Sequence, residues 1–277
     1  METVDYDMEN IDTSNLDLTQ KPATKQKNGT LDLLFDEDRL KIYYEKAFPF
    51  DLMYKWMSYF KFTENETRTL LSLEEGIKSQ YFYNREFSFT LANDVYVRYL
   101  CFKNVDEFKN ALVEKVPFKI DMGAVFNIPP KNHLTADKQA FIPLEKEMVF
   151  DIDMTDYDNM RTCCDGAKVC SKCWEFMALA TTVLNKSLTE DFGFEALLWV
   201  FSGRRGIHCW ICDDSARTMN NEARTAVTDY MSLSVGNEMS GKLELSYPLH
   251  PHLQNAYKIL SKKFQKIIIE DQDLLSL

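Results

Sequence analysis

Apolar positions along this chain change their spacing several times, and each change marks an element. From Asp36 onward, Leu40, Tyr43, Tyr44 and Phe48 recur at helical intervals until Pro49 ends the run. A second short helix is predicted to hold Met53, Trp56, Met57 and Phe60. The period then drops to two. Phe87, Phe89 and Leu91 are expected to face inward, with Glu86, Ser88 and Thr90 outward. Ala92, Asn93 and Asp94 supply turn residues, and Val95 to Leu100 returns as the second strand of a hairpin. Lys119 to Gly123 reads as another short strand, with Lys119 and Asp121 sharing a face. Trp174, Met177, Thr181, Leu184 and Leu188 form one helical stripe that Gly193 terminates, and such a stripe is core. Leu197 to Phe201 and Ile207 to Cys212 are strands around a tight loop. Helices follow through Met219, Ala223, Val227 and Tyr230, and through Leu253, Ala256, Leu260, Phe264 and Ile267. Strands and helices mix without strict β-α-β alternation. The fold class is therefore α+β, a mixed sheet flanked by helices.

One strand stands apart. In Glu147–Thr155, Met148, Phe150, Ile152 and Met154 point one way, and Glu147, Val149, Asp151 and Asp153 the other. Two carboxylates held side by side on one face repel unless a cation lies between them. Hard oxygen ligands on a rigid strand suit Mg²⁺ or Mn²⁺, with positions left open for substrate phosphates. That is the metal half of a phosphoryl- or nucleotidyl-transfer site.

Cysteine usage adds a second constellation. Cys163, Cys164, Cys170 and Cys173 fall within one loop, residues 163–173, and the Cys170-x-x-Cys173 half has zinc-knuckle spacing. A structural tetrathiolate Zn²⁺ site is favoured over free thiols, although the adjacent Cys pair is unusual. Cys209 and Cys212 lie in a strand, where alternation sends them to opposite faces, so they read as core thiols together with Cys101.

Between two strands, Ser202-Gly203-Arg204-Arg205-Gly206 places paired guanidiniums in a glycine-hinged loop, followed by His208. Arginine binds phosphate bidentately, and glycines let backbone N–H groups approach a polyanion. Taken alone, the Arg pair reads as a solvated turn, and His208 as a core histidine or a phosphate contact. Glu86 and Arg98 fall near one another across the hairpin, which by itself suggests an ordinary surface ion pair.

Composition narrows the choice. With 45% hydrophobic residues and 13% aromatic, the chain has ample material for a large core. A net charge of −11 argues against gripping nucleic acid through a general basic surface, so such contact must be local, cation-mediated or shared with a partner. No apolar run approaches the ~20 residues of a membrane span. The acidic start, Met1 to Asp7, lacks a signal-peptide pattern, and a reducing intracellular setting is expected for the seven cysteines. Residues 1–33 are polar and aperiodic and read as a disordered tail ahead of a domain over 34–277. Residues 61–80 read as an insertion.

The acidic strand also permits another match. Asp151-x-Asp153-x-Thr155 fits the nucleophile motif of haloacid-dehalogenase-like phosphatases, with Asp213 and Asp214 as later carboxylates. That fold sets its motif on an early strand of a parallel sheet and needs neither the cysteine loop nor the Arg loop. A calcium loop is excluded, because Asp156 stands where its central glycine belongs.

Together, several stretches resemble the catalytic small subunit of eukaryotic-type DNA primase. They are Arg85–Leu91, Val95–Arg98, Lys119–Val125, Glu147–Asp158, Cys163-Cys164, Cys170–Trp174, Asp191–Phe194 and Trp199–Trp210, in family order over about residues 36 to 270. The resemblance implies the primase "prim" fold with an inserted zinc loop, and synthesis of RNA primers on single-stranded DNA. It implies Asp151 and Asp153 as two of three metal-binding catalytic aspartates, and Glu86 as a residue implicated in activity. Cys163, Cys164, Cys170 and Cys173 are implied as zinc ligands. Ser202, Arg204, Arg205 and His208, with the glycines Gly203 and Gly206 between them, are implied as the triphosphate site. Partners implied are the primase large subunit, the replicative DNA polymerase complex, a single-stranded DNA template and ribonucleoside triphosphates, in the nucleus. The family continues past the point matched by residue 277, and its third aspartate lies there. The resemblance thus implies a domain incomplete at its C-terminus, for which a catalytically silent scaffold is the alternative reading.

Overall fold

The computed structural model of the chain describes residues 36–59, 77–135, 140–232 and 247–275. The expected N-terminal tail and most of the expected 61–80 insertion lie outside these residues. Helices α1 (Glu37–Lys46), α2 (Phe50–Met57) and α3 (Ile77–Tyr83) lead into strands β1 (Arg85–Thr90) and β2 (Tyr96–Leu100). Helix α4 (Val105–Lys115), β3 (Lys119–Phe126), β4 (Pro143–Glu145) and β5 (Met148–Asp153) follow. Helix α5 (Ser171–Glu190), β6 (Leu197–Phe201), β7 (Gly206–Ile211), α6 (Asp214–Arg217), α7 (Asn221–Met231) and α8 (Pro251–Leu260) complete the set.

The strands form two antiparallel sheets, ordered β2-β1-β3-β4 and β5-β7-β6. The α+β class stands, but the single mixed sheet is replaced by two sheets with every described pair antiparallel. In the first sheet β1 is central, which changes one expectation. Glu86, Ser88 and Thr90 are not solvent-facing, because all six residues of β1 are buried.

Helices α1, α2 and α4 cover the inner face of the first sheet. Phe82, Phe87, Phe89, Phe102 and Phe108 fill that core. Phe87 and Phe108 lie 5.1 Å apart between ring centroids, and Phe102 and Phe108 5.2 Å, in the tilted arrangements that aromatic pairs favour. Asn104 starts α4 by accepting the Glu107 amide, and Val116 ends it in the left-handed region at φ 43°.

The second sheet has core on one face. Met148, Cys209 and Ile211 pack with α5 and α7, and Ile152 and Ile207 pack with Met177 of α5 and with Ile267. The expected last helix is interrupted: α8 ends at Leu260 and a π-helical stretch, Gln265–Asp271, takes over. Ile267 is fully buried there, whereas Leu260 and Phe264 remain exposed.

Glu145, Lys146 and Glu147 join the two sheets, and buried charges fix this joint. Arg85 and Glu147, both without side-chain exposure, form a bidentate pair at 2.9 Å for each bond. Arg85 also donates to the carbonyls of Gly123 (3.0 Å) and Met57 (3.3 Å), and Tyr59 donates its hydroxyl to Glu147. Arg217 stacks over the Tyr59 ring at 3.5 Å and pairs with Glu145 at 3.1 Å. Burial pushes the Glu147 carboxyl up, but the charge and hydrogen bonds of Arg85 outweigh it and hold the group below its ordinary range.

Candidate metal and nucleotide site

On β5 the alternation is as expected: Met148 and Ile152 are buried, and Val149 and Asp151 are exposed. Pairing with β7 sets Asp151 opposite His208 and Asp153 opposite Gly206. Cross-strand partners share a face, so the two acids and the histidine stand together on the side away from the α5 core. Asp151 Oδ1 lies 3.2 Å from His208 Nε2, and the Asp151 side chain is 73% exposed, leaving most of its lone pairs to solvent.

Asp153 is more committed. Its carboxylate accepts the Thr155 amide at 2.9 Å and the Thr155 hydroxyl at 2.8 Å, and Arg205 Nε approaches it at 2.7 Å. Partial desolvation raises this carboxyl, but the Thr155 amide and Arg205 outweigh that and draw it down to about 2. It is therefore an anion throughout the neutral range.

The loop after β6 is closed on itself. Ser202 N donates to the Gly206 carbonyl at 2.9 Å, and Gly206 N donates to Ser202 Oγ at 3.0 Å. Gly203 sits at φ +91°, which disfavours any side chain, and a Cβ on Gly206 would meet the Ile152 carbonyl at 2.6 Å. The turn thus depends on glycine twice, once for conformation and once for close approach to β5. Gly206→Ala is expected to push β7 off β5 and cost about 1–3 kcal/mol in denaturant unfolding. The arginine pair divides: Arg205 turns in to Asp153, and Arg204 is exposed.

Asp151 and His208 open onto a cavity of about 920 Å³ between the two sheets. Asp121 and Met122 line it from β3, Trp210 and Val149 from the second sheet, and Arg224 and Thr225 from α7. Its size suits a small polyatomic ligand.

The cysteine loop lies behind the acidic strand. The Sγ atoms of Cys163, Cys164, Cys170 and Cys173 all fall within 4.8 Å of one another, close to the ~3.8 Å edges of a tetrahedron with Zn–S bonds near 2.3 Å. Among the described residues, these four are the one group of three or more His, Cys, Asp or Glu side chains gathered closely enough to share an ion. The α5 N-terminus serves the thiols. Cys173 N donates to the Cys170 sulfur, and Cys170 N donates to Cys173 Sγ at 3.2 Å. The Cys173 amide draws the Cys170 thiol down to about 6, whereas burial pushes Cys164 up to about 12. The donor set fits a thiophilic divalent ion. The same cysteines pack against Ile152 and Met154, the buried side of the acidic strand.

Comparison with known proteins bears on this arrangement. The family model described as "DNA primase small subunit" matches residues 150–277, which hold both acids, the cysteine loop and the Ser202–Gly206 turn. The DNA primase small subunit of Drosophila melanogaster is 44% identical over 242 residues, covering 86% of this chain and 52% of that protein. Its counterpart in Schizosaccharomyces pombe is 41% identical over 253 residues, 89% of this chain and 52% of that protein. Over most of its length the chain is similar to DNA primase small subunits. It also matches an archaeal one, from Pyrobaculum calidifontis, at 30% identity over 147 residues, 53% of this chain and 46% of that protein. The chain spans about half the length of the curated relatives it matches.

Glu86 takes a different place from the acids of β5. Its carboxylate accepts Arg98 Nε at 3.1 Å and the Tyr99 amide at 3.4 Å. It does not line the cavity, and it is buried where a surface pair was expected, although its partner Arg98 is half exposed. Asp121 and Arg224, by contrast, reach the cavity without having been singled out. The shared face of Lys119 and Asp121 was the available signal for the first; nothing local marks the second. No helix among the described residues is long and apolar enough to cross a membrane.

Proposed function

We propose that this chain carries the metal and nucleotide site of a primase, and that it transfers ribonucleotides onto a growing primer on single-stranded DNA. The observation that carries this reading is the joint placement of Asp151 and Asp153 on one face of β5, with His208 and Arg205 bonded onto them. Asp151 and Asp153 would hold Mg²⁺ or Mn²⁺, which when bound supplies a Lewis acid for the attacking hydroxyl and the leaving pyrophosphate. Arg205 holds Asp153 ionised and offers its remaining N–H groups toward phosphate. His208, 3.2 Å from Asp151, orients that carboxylate and presents its ring to the cavity. Ser202, Gly203, Arg204 and Gly206 form the turn that would follow the triphosphate. Glu86 acts through Arg98 as a positioning residue.

The tetrathiolate loop would hold Zn²⁺ and stiffen the acidic strand from behind. Cys170→Ser is expected to lower Tm by more than about 5 °C. An unchanged Tm, in a chain that binds no zinc, would refute that role. Partners in this reading are the primase large subunit, the replicative polymerase complex, the template strand and ribonucleoside triphosphates, in the nucleus. A phosphatase of the aspartate-nucleophile type finds no parallel sheet among the described residues. Asp213 accepts the Glu195 and Ala196 amides, and Asp214 pairs with Arg217, which leaves both in structural roles.

The test is primer synthesis from labelled ribonucleotides on a single-stranded template, for the full chain with and without a primase large subunit. Cation-dependent products are the expected result. A folded chain that binds the large subunit yet makes no product would instead establish a silent scaffold.

A further inference from the structure

A tetrathiolate around a divalent ion carries a net charge of about −2, and half-buried sulfur needs donors to offset it. Two such donors come from outside the ligand loop's own backbone. Arg161 has no side-chain exposure and is spread over four partners. It donates to the Lys168 carbonyl at 2.8 Å, the Gly166 carbonyl at 2.7 Å and Asp158 at 2.7 Å, and its Nη1 lies 3.9 Å from Cys173 Sγ. The two carbonyl contacts brace the loop that bears the cysteines, the Asp158 contact ties Arg161 to the turn after the acidic strand, and the fourth brings positive charge to a sulfur.

The second donor arrives from 109 residues away. Gln272, fully buried, points its Nε2 at Cys163 Sγ at 3.5 Å. Its Oε1 accepts the Thr162 amide at 2.8 Å, and its own carbonyl accepts the Thr162 hydroxyl at 2.5 Å. A glutamine amide seated this way is fixed in orientation, because the Thr162 N–H determines which end is oxygen. Ile267, also fully buried, packs into the same cluster as the four cysteines. The stretch from Ile267 to Gln272 therefore closes over the thiols with one apolar and one polar contact.

We infer that Gln272 and Arg161 complete the four-cysteine metal centre, and that metal binding is coupled to docking of the Gln265–Asp271 stretch. The inference rests on the zinc reading given above. Its physical basis is reciprocity. An N–H aimed at sulfur favours the thiolate and its metal bond, so the ion in turn favours the docked segment. Neither residue is a ligand; both act through the sulfurs.

The experiment loads the full chain with Zn²⁺ or with Co²⁺ and compares it with Gln272→Leu and Thr162→Val. Gln272→Leu removes the sulfur contact, whereas Thr162→Val removes a docking bond and touches no sulfur. Gln272→Leu is expected to release zinc to a chelator about tenfold faster. It should also shift the sulfur-to-cobalt charge-transfer band, which Thr162→Val leaves in place. Hydrogen exchange over residues 265–275 should slow on zinc loading in the wild type, and much less in Gln272→Leu. Unchanged zinc release and an unchanged cobalt band in Gln272→Leu would overturn the inference while leaving the metal centre intact. A wild-type chain that takes up neither ion through sulfur would remove the centre and the inference together.

Discussion

Asp153→Asn is expected to reduce cation-dependent nucleotide incorporation by about 10³-fold or more, while moving Tm by no more than about 2 °C. The two effects separate because the side chain has two duties. It accepts the Thr155 amide at 2.9 Å, a capping bond that asparagine retains. It also supplies negative charge to Arg205 and, in the proposed function, would supply it to a bound cation, which asparagine cannot. Loss of an anionic oxygen from a metal centre removes several kcal/mol of charge stabilisation, and each ~1.4 kcal/mol is a factor of ten in rate. Asp151→Asn should act in the same direction with less effect on Arg205, since its bonded neighbour is His208. Steady-state incorporation at saturating nucleotide, beside a melting curve for each variant, checks both halves. A large fall in Tm with proportionate loss of rate would mean that the acid is merely structural.

Glu147→Leu is expected to be the most damaging single change outside the site, at about 3–5 kcal/mol. The cause is not the loss of a favourable pair but the orphaned charge left behind. Arg85 has no side-chain exposure, and without the carboxylate its guanidinium keeps only the carbonyls of Gly123 and Met57. The Tyr59 hydroxyl loses its acceptor as well. For a domain of this size that corresponds to a Tm lower by on the order of 10 °C. The double change Arg85→Met with Glu147→Leu should recover a substantial part, because a buried pair replaced by apolar groups is close to neutral. If the double variant is as unstable as the single, desolvated charge is not what the joint between the sheets is built on. Chemical denaturation of the four-member cycle gives the coupling directly.

The local features of the site were legible in the sequence, and their long-range partners were not. Alternation from Met148 to Met154 placed Asp151 and Asp153 on one face, because a strand's period is fixed by its backbone. Cysteine spacing brought the four thiols together for the same local reason. What alternation cannot supply is register. That His208 stands opposite Asp151, and Gly206 opposite Asp153, depends on how β7 slides along β5. Arg85 and Glu147 are 62 residues apart, and either alone reads as a surface charge. Strand β4 has three residues, too few for a period, so its sheet and the buried polar face of β1 were missed together. Helix α4 is a different case. Asn104 at its start and Phe108 and Leu112 on its buried face carry an ordinary helical signal.

The most direct measurement is manganese uptake by the full chain in the presence of ATP, followed by the loss of the free-ion electron paramagnetic resonance signal. Wild type should bind Mn²⁺ more tightly with ATP than without, and Asp151→Asn with Asp153→Asn should weaken that uptake by tenfold or more. Arg205→Ala should reduce the gain that ATP brings. Uptake in the double-asparagine chain equal to wild type would contradict a metal and nucleotide site on β5.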